Sequence, residues 1–198
     1  MVEQIFLIRH GETEWSLNGR HTSRTDLPLT EDGVRRATEL RGLLQGTKFT
    51  RVLTSPLQRA RRTCELAGFG EVAVIEPELH EWDYGEYEGL TSSDIRAQRP
   101  GWNIFEDGCP QGESVEQVSE RADRVLSGLR PTAGAVALFS HGQFLRALAV
   151  RWIGLGVPTG QHFSLDTASL NILGFEHHSG EIPSISLWNA GSRAELNV

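Results

Sequence analysis

Lysine is almost missing from this chain: Lys48 is the only one, so arginine carries nearly all the positive charge. Cations as a whole are in deficit, with 19 Lys and Arg against 26 Asp and Glu, a formal net charge of −7. A protein that grips the nucleic-acid phosphate backbone needs the opposite balance, so nucleic acid is not an expected partner. Cysteine is scarce too. Cys64 and Cys109 are far apart and lack metal-ligand spacing, which argues against a disulfide framework or a thiol centre. Cys64 falls on an apolar helical stripe and Cys109 in a turn. Long apolar runs are also lacking: no stretch approaches the length needed to cross a bilayer, and Ile5–Ile8 is too short for a signal sequence. These absences leave a cytoplasmic enzyme with no membrane partner as the expectation.

What is present is a globular balance, 38% hydrophobic and 23% charged over 198 residues. Ile5-Phe6-Leu7-Ile8 reads as a strand buried on both faces, and it stops at Arg9-His10-Gly11. From Thr30, the positions Val34, Ala37, Leu40, Leu43 and Leu44 recur at helical spacing, with Gly46 as a stop. A strand over Arg51 to Thr54 is followed by a helix with Ser55 as N-cap and Pro56 as first residue. Ala73 to Ile75 reads as a third strand. An amphipathic helix follows Ser114, and the strand Ala135 to Phe139 ends at Ser140-His141-Gly142. A helix from Phe144 to Ile153 comes next. The alternating tail suggests a hairpin around Ser179-Gly180. The expected fold is α/β, a three-layer sandwich with a mostly parallel central sheet and helices on both faces. Residues 80–113, polar, aromatic and Gly-rich, read as a small cap inserted in one domain spanning 1–198.

In open α/β sheets ligands bind beyond the carboxyl ends of the strands, so His10 and His141 are expected on one rim. Imidazole can accept a phosphoryl group on a ring nitrogen. Arg9 offers a planar fork for phosphate oxygens, and Gly11 lets the backbone approach ring or substrate. The helix after His141, beginning near Gly142, would aim N–H groups at an anion. Arg59, in the first turn of its helix, adds a third cationic strand end. Glu81, packed beside aromatics, is the candidate proton donor, and a solvated acidic loop is the competing reading. Trp82, Trp102 and Phe105 either line the pocket or pack the cap against the body. His177-His178 resembles a metal handle but has no third ligand nearby. No metal or cofactor is expected, since arginines and histidines already supply positive charge.

Seven segments in order resemble the histidine phosphatase superfamily, which includes cofactor-dependent phosphoglycerate mutases. They are Arg9-His10-Gly11-Glu12-Thr13, Trp15 to Asp26, Leu29 to Gly33, Ser55 to Thr63, Glu81 to Gly89, Gly112-Glu113-Ser114 and Ser140-His141-Gly142. The resemblance implies that His10 is the phosphorylated nucleophile and Glu81 the proton donor. It implies that Arg9, Arg59 and His141 bind the phosphoryl group. Thr22, Ser23 and Tyr84 match substrate-contacting positions. Ser16 stands where relatives often carry a phosphate-binding Asn. Arg20 is a motif residue for which a structural salt bridge is an equally good reading.

Mutases of the family carry a cap lysine, where this chain has Ser92, and an adjacent arginine pair that is absent between Gly89 and Arg130. These departures favour hydrolysis of small phosphomonoesters. The branch looks similar to sedoheptulose bisphosphatase and broad-specificity acid phosphatases, which implies sugar phosphates or bisphosphates as substrates. A phosphoglycerate mutase is the alternative, and a non-catalytic phospho-ligand-binding regulator the alternative of another class. A homodimer is compatible with the resemblance.

Overall fold

The computed structural model describes residues 2–178 and 182–191. Its strands are β1 (Val2–Arg9), β2 (Phe49–Thr54), β3 (Ala73–Ile75), β4 (Gly134–Ser140), β5 (Leu170–Phe175) and β6 (Pro183–Ala190). They form one sheet in the order β3-β2-β4-β1-β5-β6. The first four strands run parallel, while β5 and β6 pair antiparallel at one side. The expected tail hairpin is therefore present in its strands, and its Ser179-Gly180 turn lies outside the described residues.

Among the described residues, seven α-helices complete the layers: α1 (Glu14–Leu17), α2 (Glu31–Leu44), α3 (Gln58–Leu66), α4 (Ser92–Gln98), α5 (Ile104–Asp107), α6 (Val115–Leu129) and α7 (Gly142–Trp152). Alternation along the strands sorts the core into two sides. Ile5, Leu7, Leu53 and Leu138 join Val118 and Ala122 of α6 and Phe144 and Leu148 of α7. Phe6, Ile8, Val52 and Phe139 face the other way, onto Leu40 and Leu44 of α2 and Cys64 of α3. Each such large apolar side chain contributes roughly 1.5–3 kcal/mol by leaving water. None of the helices among the described residues is long and apolar enough to cross a membrane.

The connectivity builds the rim. β4 inserts between β1 and β2, pairing Arg9 with Ser140 and Thr54 with Phe139. The segments just past these strands continue the ladder, with His10 N–H donating to Ser140 O at 3.0 Å and Ser55 N–H to Phe139 O at 2.9 Å. Residues distant in sequence thus end side by side.

Several local expectations need correction. α3 begins at Gln58 with Leu57 as N-cap and no cap from its own side chains. Ser55 Oγ accepts the Leu57 N–H ahead of the helix at 3.3 Å and faces His141, while Asp26 Oδ1 accepts the Gln58 N–H at 2.8 Å. Leu43 is 48% exposed, because the buried stripe of α2 is Gly33, Ala37, Leu40 and Leu44. α7 starts at Gly142, two residues earlier than the apolar spacing suggested. Cys109 does open a turn, closed by Gly112 N–H onto its carbonyl at 3.1 Å, and its side chain is buried in the core.

Candidate active site

His10 lies just past β1 and is 5% exposed. Its Nδ1 is 2.7 Å from Gly11 O. A carbonyl can only accept, so Nδ1 carries the proton and Nε2 keeps its lone pair. Burial, reinforced by the charges of Arg59 and Arg9, holds the imidazole pKa well below its ordinary value. The ring is neutral and nucleophilic at Nε2 across the physiological range.

His141 sits beside it, with ring centroids 5.1 Å apart. Arg59 Nε donates to His141 Nδ1 at 3.1 Å, which forces the proton onto Nε2, facing Ser55 Oγ at 2.8 Å. Burial, then Arg59 and His10, also keep this ring neutral. The two histidines therefore occupy opposite tautomers.

Arg59 is fully buried, and its guanidinium donates to Thr22 O, Ser23 O and Thr25 O. It clasps the loop beside the site and does not itself line the cavity. Arg9 does line it. One of its terminal nitrogens donates to Leu165 O, and its buried Nε has no hydrogen-bond partner among the described residues. A Cβ on Gly142 would come 3.2 Å from the Arg9 guanidinium, so glycine lets α7 start against it. Gly11 serves a different contact from the one expected. A Cβ there would meet Gly33 O at 2.6 Å, so its role is packing against the start of α2.

The start of α7 aims its N–H groups at the side chain of Glu81. Its Oε1 accepts from Phe144 and Trp82 N–H at 2.9 Å each, and Oε2 from Gln143 N–H at 3.1 Å. Glu81 is 5% exposed and reaches the cavity, so the solvated-loop reading fails. Tyr84 is buried and stacked on His21 at 4.5 Å. Burial and then the charge of Glu81 push its phenol pKa well up, leaving a permanent hydroxyl donor.

The cavity between these groups measures about 180 Å³. Of the residues singled out in the sequence, it gathers Arg9, His10, Ser16, Thr22, Glu81, Tyr84 and Gly142. Ser16 Oγ is tied to Thr13 in a capping box. Ser23 is not on the wall: its N–H and Oγ donate to the Glu88 carboxylate, burying it behind the loop. Arg20 lines the cavity and donates to Gly89 O at 2.7 Å, with no ion pair among the described residues. Trp82, Trp102 and Phe105 are core residues at 0%, 2% and 1% exposure. The indoles donate to Glu113 O and Gly108 O, and all three side chains join the core cluster that includes α6 and α7. His177 is exposed, and the described residues contain no cluster of three metal-ligating side chains.

The polar cavity residues Gln143 and Arg146 have no reading in the sequence, and His21 is legible there only as a neighbour of the site. Gln143 and Arg146 lie in the first two turns of the helix that starts at the rim, a positional signal available from the His141-Gly142 motif. His21 follows motif residue Arg20. Burial lowers its pKa to about 4, so it is a neutral hydrogen-bonding group. With Arg9, Arg20 and Arg146 facing one carboxylate, the cavity is built for an anion.

Comparison with known proteins points the same way. The chain is 43% identical over 189 residues to an acid phosphatase of Mycobacterium tuberculosis, covering 93% of this chain and 92% of the relative. It is 28% identical over 252 residues to the sedoheptulose 1,7-bisphosphatase of Saccharomyces cerevisiae, with coverages of 94% and 93%. It is also 32% identical to a probable phosphoglycerate mutase GpmB of Cronobacter sakazakii, with coverages of 87% and 85%. The family model for branch 1 of the histidine phosphatase superfamily matches residues 5–190, and the chain belongs to that superfamily.

Proposed function

We propose that this chain is a phosphatase that hydrolyses small phosphomonoesters through a phosphohistidine on His10. The observation that carries the reading is the bare, neutral Nε2 of His10 opening on the same cavity as the carboxyl of Glu81. Nε2 attacks phosphorus as the ester P–O bond breaks, and the Glu81 carboxyl gives its proton to the leaving oxygen. Water then attacks phosphorus and loses a proton to the Glu81 carboxylate. The P–N bond breaks, releasing phosphate and restoring neutral His10. Arg9, with its unpartnered Nε, stabilises the equatorial oxygens, and Arg59 and His141 support them from behind.

Sugar phosphates and bisphosphates are the proposed substrates. Arg20 and Arg146 provide positive charge on the cavity wall beyond the Arg9 cradle, suited to a second anionic group. Ser16, Thr22 and Tyr84 provide hydroxyls, His21 and Gln143 further hydrogen-bonding groups, and Gly142 room for ligand beside the helix start. The names of the acid phosphatase and bisphosphatase relatives agree with this choice. The chain acts as one domain in the cytoplasm, with residues 80–113 as its cap.

The mutase relative keeps phosphoglycerate interconversion as the second reading. Hydrolysis is preferred because the cap arginines are engaged elsewhere: Arg96 with Trp102 O and Arg99 with Asp107. A mutase must hold a doubly phosphorylated intermediate away from water. The deciding experiment measures phosphate release from sugar phosphates, sugar bisphosphates, phosphoglycerates and nucleotides beside a coupled mutase assay. Release should dominate, and 2,3-bisphosphoglycerate should not raise the mutase rate. A mutase rate above the release rate overturns the assignment.

A further inference from the structure

The start of α7 holds the carboxyl of the proton donor, but the backbone that carries it follows neither a strand nor a helix of the core. Residues 81–84 have no regular secondary structure, yet Glu81 and its neighbours are largely buried. Their placement falls to side chains from elsewhere in the chain.

Arg121, on α6 and 3% exposed, supplies most of them. It donates to Glu78 O at 2.8 Å, His80 O at 2.9 Å and Glu81 O at 3.4 Å. Its remaining N–H groups form a fork on the Glu113 carboxylate, at 2.8 and 2.7 Å. Ser140 Oγ takes the intervening carbonyl of Leu79 at 2.7 Å. Three consecutive carbonyls, 78–80, thus end on two side chains, and Glu81 O is shared between Arg121 and His80 Nδ1, the latter at 2.6 Å. Glu113 grips the segment from the other end: its Oε2 accepts from Asp83 N–H at 2.9 Å and its backbone O from the Trp82 indole at 3.0 Å. The Arg121 guanidinium also lies 3.9 Å over the ring of Phe144, whose N–H donates to the Glu81 carboxylate.

We infer that Arg121 and Glu113 are positioning residues for proton transfer, holding the backbone of residues 78–83 so that the Glu81 carboxyl meets the leaving oxygen. This rests on Glu81 being the acid. A buried ion pair is a weak source of net stability, and an apolar pair of equal volume would pack the site as well. What the pair supplies is direction: a planar fork and fixed donors that set a loop no ladder sets. Misplacing a reacting group by about 1 Å is enough to cost on the order of 100-fold in rate.

The test uses Arg121→Lys, which keeps the charge and loses the fork, and Glu113→Gln, which removes the ion pair at constant volume. The ratio kcat/KM, which ends at phosphohistidine formation and excludes the later step in which Glu81 is the base, is measured on glycerol phosphate, whose alkoxide leaving group needs the proton, and on p-nitrophenyl phosphate, which needs it little. The expected loss is roughly 10–100-fold on the alkyl ester and within about threefold on the nitrophenyl ester. In a Glu81→Gln background the same changes should add less than about threefold on the alkyl ester, since both act through one carboxyl. Equal losses on the two esters, or losses that multiply with Glu81→Gln, overturn the inference. If Arg121→Lys does not fold, Glu113→Gln decides by the same criteria. Equal losses on both esters in Glu81→Gln itself would strike the acid role instead, which separates failure of that reading from failure of this one.

Discussion

The two sides of the cavity are held by different means. On one side, His10 and His141 continue parallel strands at the centre of the sheet, and their backbones are fixed by the same ladder that builds the core. On the other, Glu81 stands on an irregular stretch whose carbonyls end on Arg121 and Ser140. The nucleophile is as secure as the fold. The acid depends on the start of α7 for its carboxyl and on a handful of side chains for its backbone. Substitutions on the first side should therefore act on stability or on all substrates alike, and those on the second should act selectively on proton-demanding substrates.

The largest expected effect breaks the rim chemically. His10→Ala should abolish both turnover and the acid-labile phosphoprotein trapped by alkaline quench after brief exposure to substrate, while leaving the circular dichroism spectrum unchanged. An active His10→Ala protein would end the mechanism.

Next, Glu81→Gln should reduce kcat/KM for alkyl phosphates by about 10²–10⁴-fold and for nitrophenyl phosphate far less, with the phosphohistidine still trapped from the latter. The contrast between the two leaving groups, read from kcat/KM, sharpens the division between the sides.

Gly11→Ala breaks the rim sterically. A Cβ 2.6 Å from Gly33 O forces two backbone segments apart, with an expected destabilisation of about 1–3 kcal/mol. Denaturant unfolding measures it, and activity should fall on every substrate in equal proportion. A leaving-group-selective loss would show that the two sides are not separately held.

The last effect, no larger than that of Gly11→Ala, concerns pH. His10, His141 and His21 all have pKa values lowered by burial, His21 to about 4. Below the ordinary histidine pKa of about 6.5 the unfolded chain binds protons that the folded chain refuses, so stability is full above that pH and declines as pH falls. For His21 the decline spans pH 6.5 to about 4 and amounts to roughly 2–3 kcal/mol. Urea midpoints at pH 7 and pH 4.5 should differ less in His21→Phe than in the wild type. An unchanged difference would mean that His21 is charged in the fold.

How much of this was readable beforehand varies by residue. The two strand-His-Gly junctions stood out because a buried run ending in a polar pair is a local pattern. Both core faces followed from periodicity, Leu43 excepted. Ser55 was misread as a helix cap because Ser-Pro is a good local start signal, whereas its hydroxyl faces His141, 86 residues away. Ser23 was placed on the wall because its motif contacts substrate, yet Glu88 pulls it behind the loop. The aromatics Trp82, Trp102 and Phe105 could not be sorted between pocket and core, since both environments select the same side chains.

By itself, then, the sequence determined the alternation of strands and helices, the apolar faces, and the chemistry offered at each strand end. Those depend on short-range spacing and on residue type. Only the tertiary structure decided that β4 enters between β1 and β2, which sets His141 against His10. It alone brought Arg146 and His21 to the cavity, gave Asp26 to α3 as its cap, and turned the N–H groups of α7 onto Glu81. Each of these is a pairing between groups far apart in the chain. Hydrogen-bond direction and close packing select such partners in three dimensions, and no local pattern encodes them.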